Sequence, residues 1–317
     1  MNKKIALIFN PSAGRGKANR KRKKVEACLK AQHIPYEIFV TQSEAHLVKI
    51  ATQVVHKFPV IVGAGGDTTL TIIAQQIFRY KKGNTLGVIS LGSVNDLARE
   101  IGVHKIEHAC RAIKRGRAVF LDVGVLKRGA QEDPFFFLGQ ASIGLGVEVN
   151  RYIEIWMDKH AFMSRFYTIA QKVAAVGGFY NSFKRKIVPL TVDLKQTEGT
   201  TSLFSPFIIF TNTSINAREF RLSPFASPVD GLLDCCILNA STFPDFVNAL
   251  IHIKRQTHLE TNKVEIIQDK YFKIHAPHPI EIQADGEIFQ SNGEIEISTL
   301  PRALNVIINP ESLHWVR

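Results

Sequence analysis

The stretch VIVGAGGDTTLTIIAQ, residues Val60 to Gln75, decides the fold. An apolar run leads into three glycines and an aspartate, and a second apolar run starts directly after them. A buried strand delivers a phosphate-binding turn into a helix in this order. The turn departs from the dinucleotide fingerprint G-x-G-x-x-G, because Thr68 occupies the position of its third glycine.

Strand-like runs and helical segments alternate over the first 120 residues. The runs are KIALIFN, YEIFVT, PVIVGAGG and TLGVISLG, and a helical segment follows each of them. This alternation predicts a parallel sheet with helices on both sides, a three-layer, Rossmann-like α/β domain over residues 1–120. Ligands bind such sheets at the carboxyl ends of the strands. Residues 303–317 are predicted to return to this domain.

Beyond residue 120, strand-like runs dominate the sequence. AVFLDVGVLK, GLLDCCILN and PIEIQADGEI are examples. Many of the runs alternate polar with apolar residues, as half-buried antiparallel strands do. Residues 121–302 are therefore predicted to form an antiparallel β-sandwich domain, interrupted by one long helical stretch from Arg151 to Phe183.

The chain is strongly basic, with 40 lysines and arginines against 28 acidic residues and a net charge of +12. The basic residues cluster at 19–24, 79–82, 114–117 and 184–186. Solvated faces explain single clusters, but the summed excess favours a negatively charged surface, such as an anionic membrane, as partner. Nucleic acid is the least favoured partner, because no aromatic and basic face or known binding motif is visible.

The sequence contains no stretch long and apolar enough for a transmembrane segment. Its four cysteines form no C-x-x-C pair and are interpreted as reduced thiols. These features predict a cytoplasmic protein that associates peripherally with the inner face of a membrane. The sequence leaves the oligomeric state open, with a homodimer among the alternatives.

Two further glycine turns follow strand-like runs. FNPSAGRGK, which begins at Phe9, brings glycines and two basic residues to a helix start, where backbone amides and positive charge suit a phosphate. It is not a Walker A loop, and a plain β–α turn is the alternative. LGSVNDLAR, which begins at Leu91, places Asp96 near a helix start. Asp96 acts there either as a helix cap or as a partner of Asp67 around one magnesium ion.

Two turns in the second domain carry acidic residues. ADGE, which begins at Ala284, reads as a hairpin turn between two strands and ends on Glu287. SPVDGLLD, which begins at Ser227, contains Asp230, whose carboxylate could hold a cation together with nearby carbonyls. Alone, each turn is a weak signal, and a solvent-exposed hairpin is the more typical interpretation of ADGE.

The order of the five motifs is more specific than any one of them. N-P-x-x-G, G-G-D, G-S-x-N-D, D-G-L-L-D and D-G-E follow one another along essentially the whole chain. In this order the sequence resembles the diacylglycerol kinase catalytic-domain family, which includes bacterial soluble lipid kinases and the sphingosine and ceramide kinases. The resemblance implies an ATP- and Mg2+-dependent kinase that phosphorylates a lipid hydroxyl on a diacylglycerol-like acceptor. It also implies an active site in the cleft between the two domains.

The resemblance implies a role for each motif residue. The residues that would cradle the nucleotide are Asn10, Thr41, Gly65, Gly66, Asp67, Thr68, Thr69 and Ser93. The catalytic residues would be Asp67, Asp96, Glu287 and Asp122. The first three would hold magnesium through water, Glu287 would also be the general base, and Asp122 would face the acceptor's head group. A structural metal site would use Asp230 with the carbonyls of Ser227 and Leu232.

The glycine turn departs from the family pattern G-G-D-G-T-x-N-E, because Thr68, Thr71 and Ile72 replace glycine, asparagine and glutamate. A β-branched residue at positive φ would be strained by roughly 1–3 kcal/mol. Three outcomes are open: an ordinary ATP loop with Thr68 at negative φ, a different or weaker nucleotide preference, or lost catalysis in a peripheral membrane or nucleotide-binding protein. An NAD kinase is a further alternative, since that family shares G-G-D, and the acceptor discriminates the two.

Overall fold

The computed structural model describes residues 4–129, 132–159, 176–178, 180, 190–197, 199–205, 207–215, 220–240 and 242–313. The chain divides into two compact units. Unit 1 comprises the chain up to Val123, the segment Ser227–Asp230 and the chain from Leu300 onward. Unit 2 comprises Gly124–Ala226 and Gly231–Thr299.

Unit 1 is built on a parallel sheet. Its first four strands are β1 (Ile5–Phe9), β2 (Tyr36–Val40), β3 (Val60–Gly65) and β4 (Thr85–Ser90). Their order across the sheet is β2-β1-β3-β4, and every neighbouring pair is parallel. β1 and β3 are buried along their whole length and β4 along nearly all of it, which explains their continuous apolar sequences.

Helices cover both faces of this sheet. In the described part of the chain they are α1 (Lys17–Ala31), α2 (Glu44–Val55), α3 (Asp67–Tyr80), α4 (Asp96–Glu100) and α5 (Ile106–Arg115). The chain steps from β1 to β2 in one direction across the sheet, and from β2 to β3 and β4 in the other. Because such crossovers are right-handed, α1 lies on one face and α2 and α3 on the other. The packing agrees, since α2 contacts α3 whereas α1 contacts α5. The predicted parallel α/β fold is confirmed.

The strands of unit 2 are antiparallel. The strands are β5 (Ala118–Lys127), β6 (Phe135–Phe137), β7 (Gln140–Gly144), β8 (Leu190–Gln196), β9 (Gly199–Ser205), β10 (Phe207–Thr211), β11 (Leu233–Leu238), β12 (Val264–Asp269), β13 (Tyr271–His275), β14 (Ile280–Ala284), β15 (Glu287–Ser291) and β16 (Glu294–Ile307). Two of them, β5 and β16, also contribute residues to unit 1. One sheet has the order β12-β11-β10-β7-β14-β15, with every pair antiparallel. In the second, β13 pairs with β16 and β8, and β8 pairs with β9.

The two sheets of unit 2 enclose one apolar core. Ile143 and Phe210 of the six-stranded sheet join Phe272 and Ile295 of the second sheet in this core. The rings of Phe210 and Phe272 lie 5.2 Å apart. Alternate residues along each strand face inward, which accounts for the alternation in the sequence. The predicted antiparallel β-sandwich is confirmed.

Two helices, α6 (Leu145–Lys159) and α7 (Phe243–Arg255), pack on the other side of the six-stranded sheet. Their apolar residues form a second core cluster with Leu238 of β11 and Val264 of β12. The helical stretch predicted from Arg151 to Phe183 begins inside α6, and its residues 160–175, 179 and 181–183 lie outside the described residues. Among the helices that the structure describes, none is long and apolar enough to cross a membrane.

Candidate active site

Three loops stand at the carboxyl edge of the parallel sheet in unit 1. They follow β1, β3 and β4 and begin at Asn10, Gly66 and Leu91. The chain leaves β1 toward β2 and leaves β3 toward β4, which lie on opposite sides. Open α/β sheets bind ligands in the crevice at such a switch point. This edge of the sheet is therefore the candidate nucleotide site.

Glycines let these loops approach each other closely. A Cβ added at Gly14, where φ is +59°, would lie 2.8 Å from the carbonyl oxygen of Leu91. A Cβ added at Gly92 would lie 2.5 Å from the Cα of Gly66. Both distances are too short for a real side chain, and the neighbouring atoms belong to the backbone. The three loops therefore pack against each other only because glycine occupies these positions.

Asn10 joins the loop after β1 to the start of α3. Its backbone N–H donates to the carbonyl oxygen of Ala64 at 2.9 Å, and its Nδ2 donates to Thr69 Oγ1 at 3.0 Å. Thr69 is buried, and its Oγ1 lies 2.4 Å from where a Cβ on Gly65 would stand. Asn10, Gly65 and Thr69, three of the predicted nucleotide-binding residues, thus form one packed group.

Asp67, the first residue of α3, is tied to the loop after β4. Its Oδ2 accepts the backbone N–H of Asn95 at 2.7 Å. Asn95 has φ 58° and ψ 49°, a left-handed conformation that asparagine tolerates better than most residues. Its Nδ2 donates to the carbonyl oxygen of Gly92 at 2.7 Å. Asp96 follows Asn95 and begins α4. One hydrogen bond therefore links the starts of two helices, and each helix opens with one of the three predicted magnesium ligands.

The helices that start at this edge lack side-chain caps. α1, α3 and α4 follow Gly16, Gly66 and Asn95, and none of these residues accepts a helix N–H with its side chain. α2 differs, because Ser43 Oγ accepts the N–H of His46 at 3.1 Å. An uncapped helix N-terminus carries unsatisfied amides and partial positive charge. At α1, backbone carbonyls already accept the N–H groups of Lys17, Ala18 and Asn19. The starts of α3 and α4 are therefore the helix ends at this edge that suit an anionic ligand.

Thr68 lies in the first turn of α3, and its side chain is exposed. Its backbone is helical, so φ is negative and the strain of a β-branched residue at positive φ does not arise. The preceding Gly66 has φ −101° and ψ −174°, extended values that any residue adopts. The loop therefore has the backbone expected for the first of the three outcomes that the sequence leaves open.

Thr41 and Ser93 follow the ends of β2 and β4. Thr41 is buried, and its N–H donates to the carbonyl oxygen of Phe9 at 2.9 Å, which ties it to the end of β1. Ser93 is half-buried in the loop before α4. The structure thus places every predicted nucleotide-binding residue at the same edge of the sheet.

Asp122 of β5 and the segment Ser227–Asp230 also belong to unit 1. The N–H of Asp122 donates to the carbonyl oxygen of Pro228, and its buried carboxylate accepts the N–H of Arg302, both at 2.7 Å. Backbone groups therefore fix the orientation of the Asp122 carboxylate. Asp230 is exposed at the end of its segment, and Leu232, the other member of the predicted structural metal site, belongs to unit 2.

Glu287 lies in unit 2, where it begins β15. Asp285 and Gly286 form the two-residue turn between β14 and β15, with φ values of 46° and 96°, and Ala284 pairs with Glu287. Positive φ at both turn residues is the type I′ geometry that Asp-Gly favours. Cross-strand partners share a face of the sheet, and Ala284 faces the core. Glu287 therefore projects from the same face, but it is exposed because β15 is the edge strand of this sheet.

Asp285 fixes this hairpin through contacts that the sequence does not predict. Its carboxylate accepts the backbone N–H groups of Leu138, Gly139 and Gln140 at 2.7, 3.0 and 3.2 Å. Its own N–H donates to the carbonyl oxygen of Gln140 at 3.0 Å. The partners lie 145 to 147 residues earlier in the chain, so no local pattern signals the contact. Asp285 thereby anchors the turn that presents Glu287.

Two family models match the chain. The model described as Diacylglycerol kinase catalytic domain matches residues 4–126. The model described as YegS C-terminal NAD kinase beta sandwich-like domain matches residues 141–308. The second match alone spans more than half of the chain. The first match corresponds to the parallel part of the fold, and the second corresponds to the antiparallel part.

Relatives and solved structures agree with these matches. The diacylglycerol kinase of Bacillus subtilis (strain 168) is 23% identical to this chain over 295 residues, which cover 90% of both chains. The diacylglycerol kinase of Staphylococcus aureus (strain MRSA252) is 25% identical over 294 residues, which cover 90% of this chain and 87% of the other. A crystal structure of a diacylglycerol kinase from Bacillus anthracis str. Sterne has a TM-score of 0.72 at 18% identity and covers 98% of each chain. A second structure from that organism has a TM-score of 0.78 at 20% identity, over 98% of this chain and 96% of the other. The structural similarity shows the shared fold. The chain belongs to the diacylglycerol kinase catalytic-domain family of lipid kinases.

Proposed function

We propose that the protein uses Mg2+ and transfers the γ-phosphate of ATP to a hydroxyl of a diacylglycerol-like lipid. The observation that carries the proposal is the hydrogen bond from Asn95 N–H to Asp67. It joins two uncapped helix N-termini, each opening with a carboxylate, at the switch point of the parallel sheet. Family membership supports the reaction class, and this contact supports the assignment of the nucleotide end of the site.

The edge of the sheet in unit 1 fits a chain of phosphates. Gly66 and Gly92 approach each other without side chains, so the loops after β3 and β4 meet where a Cβ would separate them. The first amides of α3 and α4 add partial positive charge without a competing cap. The hydrogen bond from Asn10 to Thr69 holds the loop after β1 at a fixed separation from the start of α3. Phosphoryl transfer depends mainly on such positioning and charge neutralisation.

Asp67 and Asp96 are the residues that would hold Mg2+. In the described part of the chain, no three acidic, histidine or cysteine side chains form a metal-binding group of their own. Magnesium keeps several waters and binds proteins through one or two carboxylates together with substrate phosphates. A bound magnesium ion neutralises charge on the phosphates. Asn95 contributes by fixing Asp67 relative to the start of α4.

Glu287 is proposed to accept the proton of the acceptor hydroxyl and to complete the magnesium network through water. A general base must be held within hydrogen-bond reach of the proton that it takes. The backbone bonds of Asp285 supply this fixation, because they anchor the hairpin turn directly before Glu287. Asp122 is proposed to contact the head group of the acceptor, and Asp230 to hold a structural cation with the carbonyls of Ser227 and Leu232.

The two parts of the chain are proposed to divide the work. Residues 1–120, with the tail at 303–317, bind the nucleotide, and residues 121–302 bind the lipid acceptor. The acceptor is proposed to be taken from an anionic membrane at the inner face of the cell, where the net charge of +12 favours attraction. A homodimer is compatible with this arrangement, and no nucleic acid takes part.

The test is transfer of labelled phosphate from ATP and magnesium to a panel of acceptors: diacylglycerol, phosphatidylglycerol, a polyprenol, a sphingoid base and NAD. Asp67→Asn is the matched control, because it keeps the shape of the side chain and removes its charge. Labelled lipid from the wild type and not from Asp67→Asn is the expected result. Labelled NADP alone would identify the NAD kinase alternative, and nucleotide binding without any labelled product would identify the catalytically impaired one.

A further inference from the structure

Helix α7 is apolar on two opposite sides. Phe246, Ala249 and Ile253 recur at helical spacing and are buried in the core cluster under the helix. Val247 and Ile251, one turn apart, lie on the outer side and are 38% and 44% exposed. Burial in the core explains the first set, but it does not explain the second. Exposed apolar residues that form a contiguous stripe usually mark an interaction surface.

An aromatic pair extends this stripe at the start of the helix, and an exposed leucine follows the end of the helix in the sequence. Tyr180 is 53% exposed, and its ring packs edge-on against Phe243, the first residue of α7, with 5.6 Å between centroids. At the other end, Leu259 follows the helix in a short 3-10 turn and is 42% exposed. We call Tyr180, Phe243, Val247, Ile251 and Leu259, all in unit 2, the α7 surface.

Positive charge borders the α7 surface. Lys254 and Arg255, the last two residues of α7, are exposed one turn beyond Ile251. Asp245, the acidic residue of the helix, is drawn to the side by a hydrogen-bonded ion pair with Lys263 at 2.9 Å. Along the outer side the helix therefore runs from aromatic through aliphatic to cationic residues. Helices that lie in the interface of an anionic bilayer have this composition.

We propose that the α7 surface docks the protein onto anionic bilayers, with Val247 and Ile251 at the level of the acyl chains and Lys254 and Arg255 among the head groups. The inference rests on the proposed function, which requires an acceptor that resides in a membrane. A bilayer supplies negative charge opposite Lys254 and Arg255. A second copy of the chain presents the same two cations and supplies no such complement from α7.

The test is sedimentation with vesicles of phosphatidylcholine alone or mixed with phosphatidylglycerol, without nucleotide. The variant is Val247→Asp with Ile251→Asp, and the matched control is Leu300→Asp, which adds a charge to an equally exposed apolar side chain of unit 1, 42% exposed. Wild type and Leu300→Asp are expected to bind the mixed vesicles, and the double variant to bind at least about tenfold more weakly, because two apolar anchors are lost. Thermal unfolding confirms that each variant folds.

A second variant pair removes the charge instead of the apolar groups. Lys254→Glu with Arg255→Glu is expected to weaken the preference for phosphatidylglycerol vesicles, because two cations of the docking surface are replaced by anions, while the protein stays folded. Either of two results would overturn the proposal. One is equal vesicle binding by wild type and both double variants. The other is a wild-type dimer in sedimentation velocity that Val247→Asp with Ile251→Asp dissociates, because a second copy then covers the surface.

Activity measurements separate this proposal from the proposed function. A short-chain diacylglycerol dissolved as monomers needs no docking, whereas a long-chain one embedded in vesicles does. The Val247→Asp, Ile251→Asp variant is expected to phosphorylate the monomeric acceptor at the wild-type rate and the embedded one at least about tenfold more slowly. Equal loss on both acceptors would overturn the docking role. Absence of transfer by the wild type would instead count against the kinase assignment, with vesicle binding still deciding the docking.

Discussion

Asn95 shows that the candidate site depends on backbone conformation as much as on charge. It is left-handed, it donates its N–H to Asp67, and its side chain holds Gly92. Asn95 lies within the motif LGSVNDLAR, but its role is a contact between two loops. No residue spacing in the sequence predicts such a contact. The one available signal is chemical, because asparagine is the non-glycine residue best suited to a left-handed position.

Replacing Asn95 separates these contributions. Asn95→Ala loses the bond to Gly92 and strains an L-residue at positive φ, so the free energy of unfolding should fall by about 2 kcal/mol. Asn95→Gly relieves the strain and loses only the side-chain bond, so its loss should be about half as large. Urea unfolding measures both. Equal destabilisation by the two variants would show that the left-handed conformation contributes nothing.

Thr68 is expected to be a tolerated substitution and not a defect. Its exposed, helical position predicts that Thr68→Gly lowers the free energy of unfolding by only about 0.3–0.5 kcal/mol, because threonine is itself a weak helix former and glycine is somewhat weaker. The KM for ATP should change by less than about threefold, which corresponds to roughly 0.7 kcal/mol. Thr68→Ala is the control with a better helix former. A KM that falls tenfold or more in Thr68→Gly would show that the threonine crowds the nucleotide.

Gly92 tests the close packing of the loops. In Gly92→Ala the new Cβ meets the backbone of Gly66 at 2.5 Å, so the two loops must separate. The expected cost is about 1–3 kcal/mol of stability, with a large loss of phosphoryl transfer. Gly199→Ala is the matched control, since a Cβ there meets nothing within 4 Å and the residue opens a strand of unit 2. Equal activity in both variants would contradict the packing argument.

At the scale of elements, the sequence predicted best what local pattern controls. β1, β3 and β4 are buried on both faces, so each is a continuous apolar run, and α1 follows from helical spacing. The sequence does not predict the helices α5 and α7 or the strand β12. Its pattern shows no break between α4 and α5, and α7 and β12 lie within a region dominated by strand-like runs.

β16 shows where tertiary structure overrides local pattern. Its sequence gives two strand-like runs, GEIEIST and ALNVIIN, but the structure has one strand of 14 residues. The runs are separated by Pro301, which lacks an N–H, and by Arg302, which has φ 49°. The N–H of Arg302 donates to the Asp122 carboxylate, and this long-range bond stabilises the irregular link. The same limit applies to the site, where glycine loops are predictable and the contacts of Asp285 are not.

The cysteines give a prediction that belongs to single elements. β11 is covered on both faces, so its adjacent Cys235 and Cys236 are both buried, and burial raises the pKa of both thiols. Burial also raises the pKa of Cys110 in α5, whereas Cys28 in α1 is half-buried. A raised pKa keeps the thiol protonated and unreactive at neutral pH. Iodoacetamide should therefore modify at most Cys28 in the native protein and all four thiols after denaturation, as mass spectrometry would show.

At the scale of the whole molecule, two forces are expected to act at the membrane. The net charge of +12 attracts the protein to anionic lipid over a distance set by ionic strength, and each basic residue near the surface adds about 1 kcal/mol. The exposed apolar residues of α7 act only on contact and do not depend on salt. Long-range attraction and short-range insertion therefore differ in a way that an experiment can separate.

Raising the salt concentration makes that separation. Wild-type binding to vesicles that contain phosphatidylglycerol should weaken as salt rises, because screening removes the charge contribution, and should level off at a salt-independent remainder. In Val247→Asp with Ile251→Asp that remainder should vanish while the steep salt dependence at low ionic strength persists. Vesicle sedimentation across a salt series measures both, with pure phosphatidylcholine vesicles as the control without surface charge. Binding that does not respond to salt would show that the basic excess serves another purpose. A remainder of equal size in both proteins would place the apolar contact elsewhere than α7.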